Sequence, residues 1–293
     1  MAYASYSSLL KAAHVHGSIA AAAAALEADE RESSVEAVRA QMHETLTVMR
    51  EAIRLGATGE VRSKTGLTGG DAAKLLNAAG SEAGSRPIGG LFAQVIGASV
   101  ATAEVNAAMG RIVAAPTAGA SGIVPAMVVT LGEAYSLSDD EMVDGLMVAA
   151  AIGGIFAASA TLSGAVGGCQ AETGTGAAMA AAAATVMLGG TSEQAGEAAA
   201  LAMQGLLGLV CDPVAGLVEV PCVMRNATGA AVALAGAEMA LAGIRFPIPL
   251  DEVVSAAARI GAAIPLSLRE TAKGGLAITP TGLEVAARLE SRP

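Results

Sequence analysis

From Ala177 to Leu188 the chain is almost pure alanine, and this run limits the possible folds more than any other stretch. Alanine is the strongest helix former, yet its side chain is too short to fill the gap between widely spaced helices. Helices of this kind must bring their backbones close together. The whole chain shares the bias: hydrophobic residues make up 53% of it, aromatics only 2%, with no Trp and 36 Gly. The composition therefore predicts an all-α fold, a compact bundle of Ala/Gly-rich helices with short loops. Nothing reads as a linker, so residues 1–293 are expected to form a single domain.

Local signals support helices and give little for strands. Val35, Val38, Met42, Leu46, Met49 and Ile53 recur at three- and four-residue steps, Ser33 and Glu36 read as a capping box, and Gly56 as a C-terminal cap. His43 lies off that stripe and reads as a solvated residue. Ser138 with Glu141, and Thr191 with Gln194, repeat the capping signature ahead of two further helices. Another helix is predicted from about Val223 to Leu241.

A mean hydropathy of +0.56 raises the membrane question, and residues 148–166 are long enough to span. Gly, Ser and Thr interrupt the stretch and Leu and Ile are sparse, which predicts a buried central helix and no membrane partner. The opening residues show no signal-peptide pattern, so a cytoplasmic location is expected. The net charge of −10, without a Lys/Arg run, disfavours nucleic acid.

Three cysteines carry the chemistry: Cys169 in Ser163-Gly-Ala-Val-Gly-Gly-Cys-Gln-Ala-Glu172, Cys211 in Leu209-Val-Cys-Asp-Pro213, and Cys222 in Glu219-Val-Pro-Cys-Val-Met-Arg-Asn226. Their number is odd, which argues against a disulfide framework. Three thiolates from separate loops match a cluster that leaves one iron without protein sulfur. The spacing is not the compact ferredoxin pattern, and free cysteine is also a common buried hydrophobe. Against that reading, Gly167, Gly168, Pro213 and Pro221 set tight loops that put the sulfurs near helix ends, two of them at helix C-termini. Zinc is the rival metal, but His14, His16 and His43 all lie far upstream.

Three further Gly-rich turns lie between helices: Lys64 to Asp71, Ala115 to Gly122, and Thr271 to Gly275. The second offers backbone N–H groups and the hydroxyls of Thr117 and Ser121 ahead of an apolar helix near Ile123, an arrangement suited to a carboxylate. None ends as a nucleotide P-loop does.

Together with Glu104-Val-Asn-Ala-Ala-Met-Gly110, Pro116-Thr-Ala-Gly-Ala-Ser-Gly-Ile-Val-Pro125 and Thr279-Pro-Thr-Gly282, these motifs resemble the α chain of the iron-sulfur-dependent L-serine dehydratases over nearly the whole sequence. The resemblance implies a [4Fe-4S] cluster on Cys169, Cys211 and Cys222, and deamination of L-serine to pyruvate and ammonia without pyridoxal phosphate. It also implies a separate β chain in a hetero- or homo-oligomer. The substrate carboxylate is expected on the turn that holds Thr117, Gly119, Ser121 and Gly122, with Ser163 as a further binding residue. Glu172 and Lys273 are the acid/base candidates, with Lys64 and Lys74 as alternatives near Gly-rich turns. Asp212, Glu219 and Asn226 are expected to fix the cysteine loops through hydrogen bonds or salt links, and so is Arg225, for which an ordinary structural ion pair is the favoured reading. A lyase acting on L-cysteine or another hydroxy amino acid, and a non-catalytic iron-sulfur sensor, are the alternative readings.

Overall fold

The structure is a computed structural model and describes residues 4–79 and 89–291. Its helices, in chain order, are α1 (Tyr6–His16), α2 (Ile19–Glu30), α3 (Val35–Ala57), α4 (Asp71–Ala79), α5 (Gly90–Ala107), α6 (Ile123–Ala134) and α7 (Asp139–Ser159). The short α8 (Gly164–Gly167), α9 (Thr175–Met187), α10 (Ser192–Gln204), α11 (Cys222–Leu241), α12 (Leu250–Ala263) and α13 (Pro280–Glu290) follow. The fold is all-α. Among the described residues the one β-type pairing is an isolated bridge between Cys211 and Arg269.

The alanine run forms α9, and every residue of it except Val186 is buried. A helix apolar on all sides must be surrounded, and α6, α7, α10 and α11 pack around it. The α7 helix has the length and hydropathy of a spanning segment, but 67% of its apolar window is buried inside the protein, as a central helix requires. Its N-terminus carries the predicted Ser138–Glu141 capping box, and the Thr191–Gln194 box opens α10.

The α3 termini differ from expectation. Ser34, not Ser33, is the cap: its backbone is extended and its side chain accepts the Ala37 N–H at 3.1 Å. Gly56 does not end the helix, which runs on to Ala57 and is capped at Thr58. A Cβ on Gly56 would sit 2.2 Å from the Ala101 carbonyl oxygen, so this glycine marks the crossing of α3 and α5. Val35 is exposed, while Val38, Leu46 and Met49 face the core. His43 is half-buried, with Nε2 3.1 Å from Asp140 Oδ1.

Candidate active site

The three cysteines come from three elements and are 4%, 2% and 8% exposed for Cys169, Cys211 and Cys222. All are free thiols. Cys169 opens the π-helical turn Gln170–Gly174 that feeds α9, and Cys222 is the first residue of α11. This corrects the expected placement, because two of the sulfurs lie at helix N-termini, where the backbone dipole favours negative charge on sulfur. Cys211 sits in an extended segment: its N–H donates to Leu268 O at 2.9 Å and its carbonyl accepts from Glu270 N at 2.7 Å.

Burial pushes all three thiols up, Cys222 to about 12. Cys169 raises both of the others, and the Glu172 carboxylate raises all three. Arg225 opposes the rise at Cys169 and Cys222. Its Nη2 pairs with Asp212 Oδ1 at 2.7 Å and its Nη1 donates to Val210 O at 2.9 Å, so it is both an ion-pair partner and a tie on the Cys211 loop. The second Asp212 oxygen accepts Leu276 N–H at 2.8 Å. Glu219 accepts from Thr65 Oγ1 at 2.6 Å, fastening the Lys64–Asp71 turn to the loop before Cys222.

Glu172 is half-buried, and its Oε1 accepts from Thr117 Oγ1 at 2.7 Å. Burial raises its pKa, Thr117 opposes the rise, and the nearby Glu270 carboxylate adds to it. Two glycines make room for it. A Cβ on Gly164 would lie 2.6 Å from Glu172 Oε2 and 3.1 Å from Cys211 Sγ, and one on Gly119 would lie 3.4 Å from Glu172 Oε1. Glu172, Thr117 and Gly119 therefore lie around one space with Gly164, which Cys211 Sγ also borders. Ser163 precedes Gly164 in an exposed position.

Other candidates stand differently. Gly122 does not present a free donor: its N–H is given to Asn226 Oδ1 at 2.8 Å, and a Cβ there would meet Ser99 O at 2.1 Å. It is a packing residue, which corrects its expected place among the substrate donors. Ser121 is fully buried, and its Oγ has no hydrogen-bond partner among the described residues. Lys273 is exposed on the segment whose Leu276 ties to Asp212, and Lys64 is exposed too. Lys74 is paired with Asp71 at 2.6 Å. Glu270, at φ +59, carries no sequence signal of a site beyond its position just before the Thr271–Gly275 turn.

Among the described residues no group of three or more His, Cys, Asp and Glu side chains is arranged to hold a single metal ion. The thiol set, with no histidine beside it, instead has the chemistry of a site for a larger sulfur-rich group.

An all-α chain that buries three thiols and sets a carboxylate beside a Gly-rich turn has the make-up of a helical lyase. The family described as serine dehydratase alpha chain matches residues 15–277, and the chain belongs to that family. It is 49% identical over 265 residues to a probable L-serine dehydratase alpha chain of Bacillus subtilis, covering 90% of this chain and 87% of that one. It is 47% identical over 205 residues to the L-serine dehydratase alpha chain of Peptoniphilus asaccharolyticus, 70% of each. L-serine dehydratase 1 of Escherichia coli is 44% identical over 182 residues, 61% of this chain but 40% of that longer protein.

Proposed function

We propose that this chain is the α subunit of an L-serine dehydratase, converting L-serine to pyruvate and ammonia in a reducing, cytoplasmic compartment with a separate β chain. The observation that carries the reading is the set of three buried, unpaired thiols beside the half-buried Glu172 carboxylate. Cys169, Cys211 and Cys222 would hold a [4Fe-4S] cluster, whose iron without a cysteine ligand supplies Lewis-acid polarisation of the substrate hydroxyl.

The chain's own residues do the rest. The Thr117–Ser121 stretch receives the substrate carboxylate, with Ser121 Oγ as the buried hydroxyl still open to a partner. Glu172 takes the α-proton: Thr117 fixes Oε1, Oε2 faces the space kept open by Gly164, and burial raises its pKa, which makes the carboxylate a stronger base. Loss of that proton and of the β-hydroxyl leaves aminoacrylate, which tautomerises and hydrolyses to pyruvate. Arg225, paired with Asp212, offsets negative charge gathered at the sulfurs.

The test is an anaerobic coupled pyruvate assay on iron- and sulfide-reconstituted protein, with L-serine, D-serine, L-threonine and L-cysteine, with and without a β chain. L-serine should be the preferred substrate. No pyruvate from L-serine in iron-loaded protein with the β chain present would overturn the reading, and preference for L-cysteine would reassign the substrate.

A further inference from the structure

Asn226 is 1% exposed and lies one helical turn beyond Cys222 on α11. Its carboxamide makes three hydrogen bonds. Oδ1 accepts Gly122 N–H at 2.8 Å, and Nδ2 donates to Gly119 O at 2.8 Å and to Cys222 O at 2.9 Å. The opposite amide orientation would set an N–H₂ against an N–H and an oxygen against two carbonyls, so the network fixes which way the group points. One side chain thus fastens both ends of Gly119–Gly122 to the first turn of the helix that carries the third cysteine.

The turn has two further fixed sides. Thr117 Oγ1 donates to Glu172, three residues after Cys169, and Gly122 abuts the Ser99 carbonyl of α5. A turn that merely connected two helices would need only its own backbone hydrogen bonds. This one is strutted between two cysteine-bearing segments across more than a hundred residues of sequence on the Asn226 side.

We propose that Asn226 is a positioning residue for the reaction, setting the register between the Thr117–Gly122 turn and the Cys222 end of the thiol site. The proposal rests on the serine dehydratase reading for what the turn holds. A substrate gripped by the turn is brought to the thiol site only if the two move as one body. Misplacement by about 1 Å lowers rates by about 100-fold even when the residue changed touches no substrate.

Two measurements test it together. In the wild-type chain without iron, hydrogen exchange should show the 118–122 amides opening in step with those of residues 223–226, because one carboxamide ties them. Free exchange of the turn beside a protected α11 would overturn the proposal, and this measurement needs no variant to fold. Asn226→Ala and Asn226→Asp are then reconstituted and assayed per iron-loaded chain; the Asp variant keeps the Gly122 acceptor but faces two carbonyls with an oxygen. Both should lose about 100-fold in kcat, with wild-type iron content and a KM within several-fold of wild type. A residue that only supported the fold would lower the loaded fraction and leave kcat per loaded chain unchanged, and that result would overturn the proposal. Absence of serine turnover in the wild-type enzyme would strike the functional reading instead, while the exchange comparison still judges the strut.

Discussion

Replacing Gly164 by alanine probes the thiol site with a single added carbon. The backbone there is outside the left-handed region, so alanine is allowed, and in the short helix α8 it gains about 0.5–1 kcal/mol over glycine. The new Cβ would lie 2.6 Å from Glu172 Oε2, 3.2 Å from its Cδ and 3.1 Å from Cys211 Sγ. Relaxed contact lies at about 3.5 Å, so the carboxylate must retreat by most of an ångström. It has little room to do so, because Thr117 holds its other oxygen at 2.7 Å. Losing that bond to a charged group costs about 1.5–3 kcal/mol, or about 10- to 100-fold in an equilibrium or rate. Gly164→Ala should therefore lower kcat/KM for L-serine by about 10- to 100-fold and reduce iron retention, while in urea titrations the helix gain offsets only part of the lost hydrogen bond. Ala165→Ser, on the exposed face of the same helix, is the control and should match wild type. Wild-type kcat/KM with full iron in Gly164→Ala would mean that the Glu172 carboxylate is not used where the structure puts it.

Three further outcomes are expected. Serine in place of Cys169, Cys211 or Cys222 should cut iron bound per chain after anaerobic reconstitution, since a hydroxyl is a poor substitute for a soft thiolate; full iron in all three variants would remove the main support for the cluster. Gly56→Ala, whose Cβ would stand 2.2 Å from Ala101 O, should destabilise the fold by about 1–3 kcal/mol in urea titrations, whereas Gly205→Ala, at φ −70 with no atom nearer than 3.6 Å, should be neutral or stabilising by up to about 1 kcal/mol; equal effects would count against backbone contact as the organising constraint. Glu104 caps the start of α4 by accepting Asp71 N–H at 2.8 Å, and burial raises its pKa above 4.5, so its contribution to stability is full below the unfolded value and declines as pH rises through the folded one. Melting curves from pH 4 to 8 should then move in favour of Glu104→Gln relative to wild type as pH rises, and parallel curves would show that the carboxyl is not held as described.

What could be read from the sequence, and what could not, divides by the range of the interaction. The Ser138–Glu141 and Thr191–Gln194 boxes were legible because both partners lie within one helical turn, and α9 was legible because an alanine run has one way to satisfy its backbone and bury its surface. At α3 the same rule failed by one residue: Ser33 and Ser34 both carry a capping hydroxyl, and extended backbone at Ser34 decides between them. Glycines misled for a related reason. A sequence marks Gly56 and Gly122 as breaks or turn formers, but what requires them is a carbonyl brought against each from α5. The three cysteines stood out for their turn residues, while the spacing between them left their meeting open. The Cys211 strap is held by its pairing with residues 268–270, and Asn226 joins the Gly119–Gly122 turn to the Cys222 end of α11. Glu270 shows the limit most plainly: it reaches the site through a positive φ and a hydrogen bond to Cys211, neither of which any local pattern encodes. A site assembled by single hydrogen bonds across long stretches of sequence can be recognised by resemblance, but its geometry has to be seen, and it is the geometry that distinguishes Gly119, which borders the carboxylate, from Gly122, which packs on α5 and gives its N–H to Asn226.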